Sequence, residues 1–137
     1  MISGQPSEVQ FFLDRSLGGV QVPRLLRAAG LTVVTLTEYY GNPADESVTD
    51  VEWLELAGRR HWPVLMKDTK IRYRQAEREA LINHNVQAFC LTNANLNAAK
   101  MADEFLTALA RIHDAIKSAS PCLYAVSRGR IKRLDLI

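Results

Sequence analysis

Two aspartates stand directly after strand-length apolar runs: Asp14 follows Phe11-Phe12-Leu13, and Asp68 follows Val64-Leu65-Met66-Lys67. In an open α/β sheet, residues just past the strands gather at the carboxyl edge, where ligands bind, so both carboxylates are expected on one edge. Asp50 comes one residue after Thr49 at the start of a helix, with Glu52 close behind, and that helix end is expected to open near the same edge. Three or four converging carboxylates make a cup for a hard dication. Mg²⁺ takes oxygen ligands, keeps several waters, and is commonly held by one or two carboxylates together with substrate phosphate oxygens. Asp50 is the preferred third ligand, because capping already accounts for Glu52. Each acid alone has a plainer use as a turn cap or at a helix N-terminus, and their coincidence on one edge is what favours metal binding.

Cations crowd the same stretch. Lys67 and Lys70 flank Asp68, Arg72, Arg74 and Arg78 follow with Tyr73 among them, and Arg15 adjoins Asp14. The tail adds Arg128, Arg130, Lys132 and Arg133 with no acid between them. Beside a carboxylate-bound cation, such residues suit a phosphodiester backbone, and Tyr73 suits stacking on a base. For Arg74 and Arg78, pairing with Glu77 and Glu79 on a solvated helix face serves equally well.

Other chemistries find less support. His61, His84 and His113 are scattered, no His or Cys pair has ligand spacing, and there is no Gly-rich phosphate loop, which argues against zinc and nucleotide-loop chemistry. Ser16 and Ser127 have no histidine nearby in sequence to act as base. Trp53 and Trp62 suit packing of a helix on the sheet. Asn93, Asn95 and Asn97 follow a strand; they suit capping of the next helix, with Asn93 kept as a weak candidate for holding water or phosphate.

The elements that must position these groups follow from periodicity. Strands are expected at 9–13, 32–36, 63–67 and 86–91, and a terminal hairpin at 122–126 and 131–134 around Ser-Arg-Gly-Arg. A first helix carries Val20, Leu25, Leu26 and Ala29 and ends at Gly30. Thr49 and Glu52 have capping-box spacing for a helix running to about residue 60 with Trp53, Leu54 and Ala57 as its apolar stripe. Residues 76–82 give a short helix and 98–119 the longest one, while 39–47 reads as a loop long enough to move. Alternation of strand and helix predicts an α/β fold with a mostly parallel sheet covered on both faces.

Size and composition bound the rest. A chain of 137 residues has room for one complete core. Its 47% hydrophobic and 23% charged residues are ordinary for a globular domain, and the net charge of +2 is too small to prove a polyanionic partner. Two distant cysteines, Cys90 and Cys122, suit reduced thiols. The first eight residues lack the pattern of a secretory leader and are expected to be a flexible N-terminus, and no apolar run approaches a membrane span. A soluble cytoplasmic protein is expected.

Taken together, the segments Phe12-Leu13-Asp14-Arg15-Ser16-Leu17-Gly18, Thr49-Asp50-Val51-Glu52-Trp53-Leu54-Glu55-Leu56-Ala57 and Pro63-Val64-Leu65-Met66-Lys67-Asp68-Thr69-Lys70, continued through residues 72–80, resemble the PIN-like nucleases, especially VapC-type toxins. The resemblance covers the chain from Phe11 to the terminal hairpin. It implies a single PIN-like domain over 9–137, a three-layer sandwich, and a Mg²⁺-dependent endoribonuclease, with Mn²⁺ as a substitute metal. It further implies a homodimer, a cognate antitoxin, and products with 3′-hydroxyl and 5′-phosphate ends. By position it assigns metal binding to Asp14, Asp50 and Asp68. Many PIN domains carry a further acid just after the third; here Thr69 and Lys70 stand there, which puts a second metal in doubt.

In the resulting expectation the metal lowers the pKa of a bound water, which attacks phosphorus in line. Lys67, Lys70 or Arg15 offsets charge growing on the phosphate oxygens, while Arg15, Lys70, Arg72, Tyr73 and Arg74 hold RNA. The alternative is a catalytically inactive PIN-like module that binds RNA or a protein partner. A phosphoacceptor or phosphohydrolase domain ranks last, because Asp14 is followed by Arg15 and Ser16 without a second Asp two residues on.

Overall fold

The strand-length apolar runs pair into one sheet. They form β1 (Gln10–Leu13), β2 (Thr32–Thr35), β3 (Val64–Met66), β4 (Gln87–Leu91), β5 (Cys122–Ser127) and β6 (Arg130–Leu134). The strand order is β2-β1-β3-β4-β5-β6, with β6 antiparallel to β5 and every other pairing parallel. This computed structural model describes residues 9–67, 69–93, 95–118 and 120–136. The N-terminal stretch 1–8 and Asp68 lie outside the described residues.

Helices α1 (Gln21–Ala28), α2 (Leu36–Tyr40), α3 (Asp50–Arg60), α4 (Gln75–Asn83), α5 (Ala98–Thr107) and α6 (Leu109–Ile116) connect and cover the strands. Alternate strand residues feed two cores. Phe11, Leu13, Leu65, Phe89, Leu91 and Val126 pack with α1, α5 and α6, whereas Phe12, Val64, Met66, Ala88, Cys90 and Leu123 pack with α3 and α4. A parallel sheet buried on both faces needs this two-sided apolar pattern, so the central strands read as continuous hydrophobic runs. The expected three-layer α/β fold with a C-terminal hairpin is what the chain forms. Phe12 anchors one layer, stacked at 5.6 Å from Trp53 of α3 and 6.4 Å from Trp62.

Three expectations require correction. The segment 39–47 is not a plain loop: α2 begins at Leu36, and Ala44–Ser47 is a 3-10 helix. The cause is a second capping box, in which Thr35 Oγ1 accepts from the Glu38 amide at 3.1 Å and Glu38 accepts from the Thr35 amide at 2.9 Å. That box ends β2 one residue early. The basic stretch after Asp68 likewise coils into a 3-10 helix, Thr69–Tyr73, held down by buried Ile71.

The expected single long helix is two, divided at Ala108, where φ is −91° and ψ is 3°. Its halves serve different partners, α5 packing on α1 and α6 reaching β6. The hairpin turn sits close to the division, with the Arg128 amide donating to Glu104 at 2.7 Å and Arg111 donating to the Gly129 carbonyl at 3.1 Å. Arg128 and Gly129 both have positive φ, 53° and 76°, as a two-residue type I′ turn requires.

Candidate active site

The chain leaves β1 for β2 on one side and later returns to β3 on the other, so the β1/β3 boundary is the topological switch of the sheet. A crevice beyond the carboxyl ends of two such strands is where doubly wound folds bind ligands. Asp14 follows β1 there and is buried, with 7% of its surface exposed. Lys67 follows β3 on the other side, partly buried, and leads directly into Asp68.

A hydrogen-bonded relay closes this crevice from within. Asp14 caps the 3-10 helix Arg15–Leu17: its Oδ1 accepts from the Ser16 amide at 3.2 Å and from the Ser16 hydroxyl. The same hydroxyl oxygen accepts from the Lys67 amide at 3.0 Å. Ser16 therefore joins the first aspartate to the residue that carries the third. Sequence spacing could not single it out, because its partner lies 51 residues away.

Asp50 is positioned by a different set of contacts. Arg15 donates to the carbonyls of Asp45 at 2.8 Å and Val48 at 3.1 Å, fastening the segment before α3 to the end of β1. Thr49 and Glu52 then complete the expected capping box, at 3.2 Å and 2.7 Å. Asp50 occupies the first helical turn, and its Oδ1 accepts from the Trp53 indole at 2.9 Å. The indole thus packs on Phe12 and fixes the carboxylate at once. Arg15, expected among the substrate cations, has its guanidinium turned to this loop.

Asp14, Arg15, Gly18, Gly19, Thr35 and Thr37 line a small cleft of about 60 Å³, room for one or two water-sized groups. Gly18 has φ of 81°, a conformation that favours glycine. Thr37 also donates to Asp45 Oδ2 at 2.7 Å, while Asp45 Oδ1 is buried with no hydrogen-bond partner among the described residues. A buried carboxylate oxygen without a donor is costly, and a bound cation relieves that cost. Asp45 is an acid beside the cleft that sequence reasoning passed over as part of a loop.

The remaining candidates sort by contact. Lys70 is exposed on the 3-10 helix that follows Asp68. The Arg72 guanidinium lies 4.7 Å from the Tyr73 ring centroid, and Tyr73 is 68% exposed. Arg78 donates to the Arg72 carbonyl at 3.2 Å, while Arg74 is exposed where α4 begins. Asn93 is exposed and accepts from the Asn95 amide at 2.9 Å, a local turn, and Asn97 caps α5. Glu52 is committed to its capping box. Among the described residues no three His, Cys, Asp or Glu side chains gather into a metal cluster, and Asp68, the expected third ligand, lies outside them.

Comparison with known proteins identifies the family. The family described as "PIN like domain" matches residues 9–93, more than half of the chain. The chain belongs to the PIN-like domain family. It is also 36% identical over 123 residues to "Putative ribonuclease VapC45" of Mycobacterium tuberculosis, covering 90% of this chain and 89% of that protein. The sequence resemblance to VapC-type PIN domains is thereby met. No solved structure gives a significant match. The PIN-like match includes Asp14, Asp50 and Asp68 and ends before the basic hairpin. No helix among the described residues is long and apolar enough to cross a membrane.

Proposed function

We propose that this PIN-like domain is a metal-dependent endoribonuclease that hydrolyses RNA phosphodiester bonds, acting as the toxin of a toxin-antitoxin pair. The observation that carries this reading is the relay from buried Asp14 through Ser16 to Lys67, which draws the ends of β1 and β3 together at the switch crevice. The relative's printed name, a ribonuclease, supports the same substrate class.

The donor types fit a hard divalent cation: Asp14, Asp50 and Asp68 offer carboxylate oxygens, and Asp14 is buried. Asp14, Asp50 and Asp68 would hold Mg²⁺, with Mn²⁺ as a substitute. When bound, such an ion acidifies water and stabilises charge on a phosphate. The protein's own part is positional. Ser16 fixes the Asp14 carboxylate, Trp53 fixes that of Asp50, and Arg15 holds the loop that delivers Asp50. Lys67 and Lys70 would offset charge developing on the non-bridging oxygens, a preorganised electrostatic role. Tyr73, Arg72 and Arg74 would guide the strand to the crevice, and Tyr73 has the exposure that stacking needs.

The test is RNA hydrolysis by the purified chain, followed by end analysis of the products. Cleavage should stop with a chelator, return with Mg²⁺ or Mn²⁺, leave 3′-hydroxyl ends, and be absent in Asp68→Asn while the circular dichroism spectrum is retained. RNA hydrolysis that ignores both chelator and Asp68→Asn defeats this proposal; RNA binding without any hydrolysis points to an inactive module. Toxin action is checked separately, by growth arrest on expression and its relief by the product of a neighbouring reading frame.

A further inference from the structure

A second basic feature lies on the same edge of the sheet, beyond the region matched by the family. A groove of about 560 Å³ opens there, lined by Arg128, Arg130 and Lys132 together with Thr92 and Ser127. Strand register fixes its side. Ser127 pairs with Arg130 and Ala125 with Lys132, directly opposed residues that share a face, and Leu123 pairs with Leu134 on that same face. Leu123 and Leu134 pack in the core beneath α3 and α4. The 3-10 helix Thr69–Tyr73 joins that core through Ile71. Lys70 and Tyr73, next to the aspartate crevice, and Arg130 and Lys132, on the hairpin, therefore belong to one side of the sheet. Thr92 and Ser127 mark the carboxyl ends of β4 and β5, as Asp14 and Lys67 mark those of β1 and β3.

Chemistry selects the occupant. The groove is lined by three cations and no acid among the described residues, with Thr92, Ala125 and Ser127 beside them, so it brings point charges together with small polar and apolar groups. Single-stranded nucleic acid uses that combination: phosphates for the cations, sugars and bases for the rest. An edge strand also carries lysine to repel unwanted strand pairing. That use does not require the charges to extend to the turn at Arg128, nor hydroxyls at two neighbouring strand ends.

We propose that this β5–β6 groove is a second binding site for the RNA strand whose scissile phosphate lies at the aspartate crevice, a proposal that rests on the nuclease reading. It holds the backbone away from the cut and contributes affinity rather than chemistry. Removing its cations should raise KM and leave kcat unchanged for long substrates, with no effect on an oligoribonucleotide too short to leave the crevice.

The test is equilibrium binding of a fluorescent single-stranded RNA to the full chain in chelator, where cleavage is silent, across a salt series. Arg130→Gln with Lys132→Gln should flatten the plot of log affinity against log salt by about 1.4, roughly 0.7 for each lost phosphate contact. A control with Arg133→Gln and Lys117→Gln removes the same charge from the side of the sheet covered by α6 and should keep the wild-type slope. An unchanged slope in the groove variant overturns the proposal, as does an equal loss in the control or an absence of RNA binding by the wild type. Equal competition by polyglutamate also overturns it, assigning the face to an acidic protein instead. Cleavage measured in parallel separates the two claims: a protein that never cuts RNA but shows the groove-specific slope change retains the site and loses only the nuclease assignment.

Discussion

Ser16 and Trp53 show how single side chains set the aspartates. The Ser16 hydroxyl accepts from the Lys67 amide across the crevice, and it also donates to Asp14. Ser16→Ala leaves that part-buried amide unsatisfied, which costs about 1–3 kcal/mol. Activity should fall beyond what the lost stability explains, because the Asp14 carboxylate loses the hydroxyl that helps to hold it. Ser16→Thr, which keeps the hydroxyl, should restore most of both. Denaturant midpoints and kcat measured side by side decide the matter, and an alanine variant with full kcat would reduce Ser16 to a structural link. Trp53→Phe separates packing from positioning in the same way. It retains an aromatic ring against Phe12 but removes the 2.9 Å bond to Asp50, so divalent affinity should drop while the thermal midpoint moves by only a few degrees.

At the level of elements, close approach and capping decide where helices lie. Gly58 of α3 faces His84 at the end of α4, where an added Cβ would meet the His84 carbonyl oxygen and sit 2.7 Å from its Cβ. Gly58→Ala should destabilise by about 1–3 kcal/mol through forced separation of α3 and α4, read as a lowered denaturant midpoint. A pH-dependent contribution comes from α2. Arg27 of α1 lies 2.6 Å from Glu38 and holds its carboxyl below the ordinary glutamate range. A carboxyl whose folded value is depressed stabilises the protein above its unfolded value and ceases to as pH falls through the folded one. The thermal midpoint gap between wild type and Glu38→Gln should therefore be present at neutral pH and close below about pH 4.5. Both groups are substantially exposed, so the gap should be small and shrink with salt.

These same elements show what the sequence made legible. Strands β1, β3 and β4 announce themselves because burial on both faces leaves them continuously apolar, and α3 because its capping box precedes an apolar stripe. The box at Thr35–Glu38 was equally visible, but the β-branched run before it hid the start of α2. The division at Ala108 carries no glycine or proline; it arises from packing α5 and α6 on different neighbours, which lies beyond local pattern. Asp14 and Asp68 stand out in the sequence by their places after apolar runs, and Asp50 by its place at a capping box. Ser16, Asp45 and the true use of Arg15 do not, since each acts through contacts spanning a loop or a distant strand.

For the whole molecule, a net charge of +2 conceals a strong asymmetry of placement. Cations flank the aspartate crevice and the hairpin groove on one side of a single sheet, while the hydrophobic layers beneath keep both in fixed relation. RNA affinity should accordingly depend steeply on ionic strength although the overall charge is modest. The PIN-like fold supplies the edge, and in the proposed function a shared divalent ion would make that edge catalytic. Calorimetric titration of Mn²⁺ into the full chain tests that claim most directly. The account predicts saturable binding by the wild type that is lost in Asp14→Asn and Asp68→Asn, with both variants still folded; a wild type that takes up no ion, or variants that bind it as the wild type does, would contradict it.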